Sequence, residues 1–284
     1  MTLWAAWQGS LASLMRRPSA TIGMAAVLIA IALAAAAIAT VPLADSVSSQ
    51  PDQVFNPHRF DQPLLEDLPW RDPSWLLGLG MTWSVAGLAA LMLFALGDAV
   101  LIRAAAGPWP GARAAWGDAL RRAPALLTIS AISLVYLLLC NAGFQLGLGA
   151  VLQAWGRRAE SETIGIAWST IPDLLFIVAA VPGKLTSDLA RAAVASQGMR
   201  SGLKALAVGG RATISGWRPW AIRATALLFD AAVIGSFAVV RKLWDPKTAG
   251  SLGLSLFAIA LLIGARLFVH AGYLGTLARW QRGN

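Results

Sequence analysis

The sequence SDLARAAVASQGMRSGLKALAVGGRATISGWRPWAIRATALLFDAAV, residues 187–233, contains the unit from which the fold can be predicted. It begins with the end of an apolar helix at Ser187–Arg191. A basic, half-apolar helix is predicted over about Met199–Ser215, followed by a turn at Trp217–Trp220 and a second apolar run over residues 221–240. Because apolar residues recur every three or four positions beside Arg and Lys, the basic helix is expected to lie in a membrane interface.

The composition of the whole chain indicates a membrane protein. Of its 284 residues, 57% are hydrophobic and 13% are charged, whereas soluble domains carry about 25% charged residues. The apolar runs have the length of about 20 residues that one transmembrane helix needs. We therefore predict an all-α, polytopic membrane protein with six transmembrane helices and amphipathic interfacial helices on the cytoplasmic side.

The predicted segments form a single membrane domain over residues 1–284. An interfacial helix is expected at 3–17, because Trp4, Trp7, Leu11 and Leu14 fall on one helical face. The transmembrane helices are predicted at residues 22–41, 75–102, 126–148, 164–185, 220–240 and 252–271. The connections are predicted as an outer loop at 42–74, inner connections at 104–124 and 187–219, and a short basic tail at 272–284.

The first apolar run, residues 22–41, has two interpretations. A cleaved signal peptide would need a shorter apolar core close to the N-terminus. The long segment that precedes residues 22–41, and the length of the run itself, favour a retained membrane anchor.

The net charge of +9 is explained by topology rather than by nucleic-acid binding. Most Lys and Arg fall on connections predicted to be inside, as the positive-inside rule requires, although Arg241 and Lys242 run against the bias. We therefore expect a multi-pass protein of a bacterial inner membrane with both termini in the cytoplasm. The partners expected are the lipid bilayer with its anionic headgroups and another membrane protein, and no nucleic acid.

A basic helix, a turn with Arg and Pro, and an apolar run occur together three times, with turns at Leu14–Pro18, Leu120–Pro124 and Trp217–Pro219. This repetition favours three two-helix units, although any inner connection of a membrane protein tends to be basic and amphipathic. The basic residues form a candidate belt for anionic lipid or a partner: Arg16, Arg17, Arg113, Arg121, Arg122, Arg200, Lys204, Arg211 and Arg218.

Two of these copies also carry a resemblance. The pattern of Asp98 and Arg103 with Gly117–Pro124, and of Asp188–Ala193, resembles a broad group of uncharacterised bacterial six-helix membrane proteins. Some of these are identified as a glycerophosphodiesterase-associated membrane domain. The resemblance covers most of the chain and implies a fold, not an activity.

Charged residues inside the apolar runs mark the candidate site, which consists of Asp173, Asp230, Arg266 and His270. Because a charge inside the bilayer is costly, we expect Asp173 or Asp230 to pair with Arg266 within the bundle, with His270 one turn below. Such a pair would either fix helix packing or form part of a proton or substrate path. Arg223 is expected to extend its side chain towards the interface.

The sequence contains no recognisable catalytic motif, and we expect no catalytic residue, cofactor or metal. The single cysteine, Cys140, lies in an apolar run, and His58 and His270 are predicted on opposite sides of the membrane. The leading hypothesis is a non-enzymatic accessory, structural or assembly subunit of a larger membrane complex. The alternative is a transporter or permease subunit that uses buried Asp and Arg residues.

Overall fold

The computed structural model describes residues 2–27, 29–30, 73–156, 162–243 and 249–283. These residues form helices and contain no β-strand, which confirms the predicted all-α class. The predicted outer loop, with His58, lies outside the described residues as far as position 72. Most of the predicted first transmembrane helix lies outside them too.

The helices are numbered in chain order. They are α1 (Leu3–Met15), α2 (Pro18–Val27), α3 (Pro73–Ala106), α4 (Ala112–Arg121), α5 (Ala123–Asn141), α6 (Gly149–Gly156), α7 (Glu162–Gln197), α8 (Gly202–Ser215), α9 (Arg218–Leu243) and α10 (Ala249–Gly283). A π-helix, Ala142–Leu148, joins α5 to α6.

Five stretches of the described chain are helical, long and apolar enough to cross a membrane. The chain is therefore a multi-pass membrane protein by the length and composition of its helices. The stretches are Gly87–Ala106, Ala123–Leu152, Thr170–Gln197, Arg218–Val239 and Phe257–Gly283.

Two helices extend well beyond the ends expected from sequence. Helix α7 continues to Gln197 although it contains Pro172 and Pro182. Beside Pro182, the ring of Tyr136 packs directly against Gly183, and the Tyr136 hydroxyl donates to the Ala179 carbonyl at 2.8 Å. The Tyr136 hydroxyl thus gives a hydrogen bond to a carbonyl close to Pro182, which has no N–H to donate within the helix.

The expected basic tail at 272–284 is instead helical through Gly283, as the last part of α10. Tyr273, Leu274 and Leu277 on this segment are fully buried. The prediction missed this because the apolar residues here alternate with Gly, Thr and Arg, which lowers the hydrophobicity of the segment without exposing its inner face.

We call α1, α4 and α8 the belt helices. Helix α8 has a buried face of small residues that includes Gly202, Ala205 and Gly209. Gly209 packs on Thr186 and Ala190 of α7, and Gly202 packs on Ala125 and Thr128 of α5. Leu203 and Ile214, on other faces of α8, are exposed.

Helix α1 packs on the second half of α10. Of the four residues predicted to share its apolar face, Trp7 and Leu14 are buried in the protein, whereas Trp4 is 60% exposed. The predicted face is therefore divided, since part of it packs against α10 instead of lying in lipid.

The contacts of the chain group it into two compact units. One consists of residues 1–22 and 95–284, and the other of residues 23–94. In the smaller unit, the described part of α3 has the large apolar side chains Leu88, Met92 and Phe94 exposed. The larger unit contains the belt helices and all of the polar contacts described below.

The close packing of α8 on α7 predicts that Gly209→Ala destabilises the protein. A Cβ at Gly209 would overlap the Thr186 carbonyl oxygen and lie 3.1 Å from the Ala190 nitrogen. We expect a loss of about 1–3 kcal/mol, measured as a lower midpoint of thermal unfolding in detergent. Gly235→Ala is the matched control, because a Cβ there meets nothing within 4 Å. Equal midpoints for the two variants would contradict the close packing.

Candidate functional site: a buried ionic network

Asp98, on α3, is the centre of a buried group of charged side chains. Its Oδ2 accepts a hydrogen bond from Arg191 Nη1 on α7 at 2.9 Å. Its Oδ1 accepts from His270 Nε2 on α10, also at 2.9 Å. Both oxygens of this carboxylate are therefore engaged by cationic or ionisable groups from other helices.

Asp188, on α7, is equally buried and fully engaged. Its Oδ1 accepts from Lys184 Nζ at 2.8 Å and from Arg191 Nη1 at 3.5 Å. Its Oδ2 accepts from the Tyr273 hydroxyl at 3.1 Å and lies 3.9 Å from Arg223 Nη1. Arg191 thus lies between the two carboxylates.

All five candidate transmembrane stretches contribute to this group, which we call the ionic network. Arg191 also donates from Nη2 to Ser130 Oγ on α5 at 3.1 Å. The guanidinium of Arg223, on α9, lies over the Tyr273 ring, 5.2 Å from its centre. The members of the network are Asp98, Ser130, Lys184, Asp188, Arg191, Arg223, His270 and Tyr273.

The network has a closed interior and a partly exposed edge. The two carboxylates are almost completely buried, whereas the side chains of Lys184 and His270 are 34% and 25% exposed. Burying charges costs several kcal/mol for each ion, which is offset only when every charge is well paired. The network meets this condition at its carboxylates, so it holds the five helices in one arrangement.

Three members of the network lie on the helices that end the predicted two-helix units. They are Asp98 on α3, Asp188 on α7 and His270 on α10. Three residues further along, the positions are Leu101, Arg191 and Tyr273, and all three side chains are buried. The repeated Asp near the ends of two predicted spans, Asp98 and Asp188, was therefore a sequence signal for the site. The contact of Asp98 with His270 was not predicted.

The four residues predicted as one site lie in three places. Arg266 donates from Nε and Nη2 to Asp230 at 2.7 and 2.9 Å. Their side chains are 51% and 28% exposed, so this pair lies on the surface of the bundle and not inside it as expected. Asp173 is exposed and accepts from Gln145 of the π-helix, and His270 belongs to the ionic network.

Arg223 also differs from its expected placement. Instead of extending to the interface, its side chain turns into the bundle towards Asp188 and Tyr273. The attraction of a buried carboxylate and an aromatic face outweighs the gain from reaching water.

Two arginines of the predicted belt bind helix ends rather than facing outwards. Arg17 Nη1 donates to the carbonyls of Ala104 and Gly107 at 2.8 and 3.0 Å. Arg122 Nη1 donates to the carbonyls of Val194 and Ala195. A cation at a helix C-terminus satisfies free carbonyls and complements the helix dipole. These contacts bring the ends of α3 and α7 and the belt helices to one end of the bundle, the belt end.

The other predicted belt residues are exposed on the belt end. They are Arg16, Arg113, Arg121, Arg200, Lys204, Arg211 and Arg218. Partial burial, followed by the charges of Arg103 and Arg200, lowers the pKa of Arg122 from its ordinary value. An arginine is still charged at neutral pH after such a change, so Arg122 contributes to the positive charge of the belt end.

No family model, curated protein or solved structure matches this chain. The resemblance to six-helix bacterial membrane proteins therefore stays a prediction. Among the described residues, no group of three or more His, Cys, Asp or Glu side chains is arranged to hold a metal ion.

Removal of Arg191 is expected to be strongly destabilising, because Asp98 and Asp188 would be left buried without their shared partner. We expect Arg191→Met to cost about 3–5 kcal/mol, measured by thermal or denaturant unfolding in detergent. Arg103→Met is the control, since Arg103 pairs with Asp118 at 3.1 Å on a partly exposed surface and such pairs contribute about 0–1 kcal/mol. Similar losses for both variants would show that the network does not hold the fold together.

Proposed function

We propose that the protein is a non-enzymatic accessory, structural or assembly subunit of a larger membrane complex. The observation that carries this proposal is the exposed ion pair of Asp230 and Arg266 in the middle of two apolar helices. Arg266 lies 17 residues from either end of α10, and Asp230 lies 12 and 13 residues from the two ends of α9, so both are near the middle of their helices. The middle of a helix that crosses a hydrocarbon layer of about 30 Å lies near the centre of that layer.

Lipid tails cannot satisfy the polar groups of this pair. A guanidinium has five N–H donors, and Asp230 accepts hydrogen bonds from the Nε and Nη2 atoms of Arg266. Within the described chain, the remaining donors of Arg266 have no hydrogen-bond partner. Charged residues in membranes usually face protein or water for this reason, so a neighbouring transmembrane helix with carbonyl, hydroxyl or carboxylate oxygens would complete the pair.

The second exposed polar pair, Gln145 with Asp173, supports the same interpretation. Gln145 belongs to the π-helix between α5 and α6, and π-helical turns frequently occur at functional positions. Both pairs lie on the far side of the ionic network from the belt end. One turn after the aspartates, on the same helix faces, the exposed apolar side chains are Ile177 and Ile234.

We further propose that the belt end faces the cytoplasm of a bacterial inner membrane. The exposed Arg and Lys side chains of the belt helices support this orientation through the positive-inside rule. In this arrangement the N- and C-termini are both cytoplasmic.

Replacing the ion pair with apolar residues is expected to release the partner without unfolding the protein. For Asp230→Leu with Arg266→Leu, we expect unfolding temperatures near that of the wild type, because both side chains are partly exposed. The proteins that co-purify with the wild type after gentle solubilisation should be lost from the double variant. The measurement is quantitative mass spectrometry of affinity-purified membranes.

The control is Arg103→Leu with Asp118→Leu, an ion pair on the belt end, which should retain the partner. Retention of the same partners by the Asp230 and Arg266 double variant would contradict the proposal. Purification of the wild type as a lone monomer from native membranes would do so as well.

A transporter or permease subunit is the second candidate, and the ionic network favours it. Six of its members are ionisable side chains of Asp, Lys, Arg or His type, and two of these, Lys184 and His270, reach its partly exposed edge. Helix α7, which contributes three of the six, contains Pro172 and Pro182. Discontinuities in helices often accompany transport sites.

The transport hypothesis predicts that Asp98→Asn abolishes proton flux. Asparagine has nearly the shape of aspartate but does not ionise, so a proton step through His270 and Asp98 would stop. The measurement is acidification of proteoliposomes that contain a pH-sensitive dye, and Asp118→Asn is the control. Absence of flux for the wild type above empty liposomes would exclude proton conduction by the isolated chain and leave the accessory role.

A further inference from the structure

Three arginines meet at the C-terminal end of α3, in a group that neither the predicted site nor the ionic network includes. Arg17 Nη1 donates to the carbonyls of Ala104 and Gly107. Arg279 Nη2, from α10, donates to the Ala105 carbonyl at 2.9 Å. Arg282 Nη2 lies 3.7 Å from the position that a Cβ on Gly107 would occupy.

The positive charge of this group is not balanced within the described chain. Arg17, Arg279 and Arg282 form no ion pair with any described residue. The C-terminus of α3 carries only about half of a negative charge through its dipole, against about three positive charges. Arg103, which also lies near the end of α3, is different because its charge is balanced by an ion pair with Asp118.

The three arginines differ in how much of each guanidinium is free. Arg279 is held by Gly9, Ser13 and Ala105, to which its Nη2 donates at 2.9–3.0 Å. Arg17 uses only Nη1 in its described hydrogen bonds. Arg282 is exposed and has no described hydrogen bond. Free N–H groups of Arg17 and Arg282 therefore lie near Gly107.

We propose that Arg17 and Arg282 bind the phosphate of an anionic lipid headgroup at the end of α3, with the half-buried Arg279 as a third positive charge beside it. Guanidinium groups bind phosphate oxygens through pairs of parallel hydrogen bonds. This site is independent of the accessory role proposed above, which concerns the opposite half of the bundle.

A lipid phosphate is favoured over a soluble one because two apolar side chains lie within two residues of the site in sequence. Met15, two residues before Arg17, is 70% exposed, and Trp109, two residues after Gly107, packs partly against the core. Acyl chains fit beside exposed Met15, and indole rings prefer the level of the headgroups. A free phosphate would gain nothing from these neighbours.

The test measures the binding of a short-chain phosphatidylglycerol to the full chain in a neutral detergent, with short-chain phosphatidylcholine as the zwitterionic comparison. Native mass spectrometry counts the bound lipids, and the shift of thermal unfolding with lipid concentration gives the affinity. We expect the wild type to retain one phosphatidylglycerol that phosphatidylcholine does not replace. For Arg282→Gln we expect binding to weaken about fivefold, since each arginine near a membrane surface contributes about one such factor.

Arg282→Gln is the main variant because its exposed side chain supports no other element, so the fold is preserved. Arg211→Gln, an exposed belt residue on α8, is the control and should bind like the wild type. Equal weakening in both variants would show diffuse surface attraction and overturn the site, as would unchanged binding in Arg282→Gln. If inorganic phosphate protects the protein at the same concentration as phosphatidylglycerol, the site takes a soluble anion and the lipid assignment is wrong.

Discussion

The ion pair between Asp98 and Arg191 constrains the fold more than any other contact. Two unlike charges buried in a medium of low polarity must stay together, because either one alone would cost several kcal/mol. Arg191 also contacts Asp188 and Ser130, so a shift of α3, α5 or α7 would break a hydrogen bond of a buried charge. Apolar helices in a bilayer have little preference among their rotational settings, since lipid solvates every apolar face. The ionic network supplies that preference.

The sequence predicts where the helices run but not which sides of them meet. Apolar length determines a span, so five of the expected spans correspond to helices in the described chain. The site depends on rotation about the helix axis, which single-chain periodicity leaves open when all faces are apolar. Arg266 and His270 are one helical turn apart, and their similar depth in the membrane was the reason for predicting them in one site. In the structure Arg266 bonds Asp230 at the surface and His270 bonds Asp98 inside.

The pairs of adjacent arginines at the belt end also show that sequence does not predict which way a side chain points. Arg16–Arg17 and Arg121–Arg122 were predicted to act alike, as cations facing headgroups. Each arginine pair lies at the turn between one helix and the next, so its two members face different surroundings. Arg16 and Arg121 are exposed, whereas Arg17 and Arg122 bind the carbonyl ends of α3 and α7. One sequence pattern thus provides an exposed cation and a cation that binds a helix end, at two of the three repeated turns.

Small residues let the belt helices pack directly beside the ionic network. Gly209 of α8 packs on α7 beside Thr186 and Ala190, which lie on either side of Asp188 in sequence. Gly272 and Gly275, on either side of Tyr273, pack against α1 and its Trp7 and Ser10. A Cβ at any of these three glycines would overlap an atom of a neighbouring helix, so a larger residue would push the helices apart. The belt helices α1 and α8 therefore cover the segments that carry Asp188 and Tyr273, and the glycines determine how closely that cover packs.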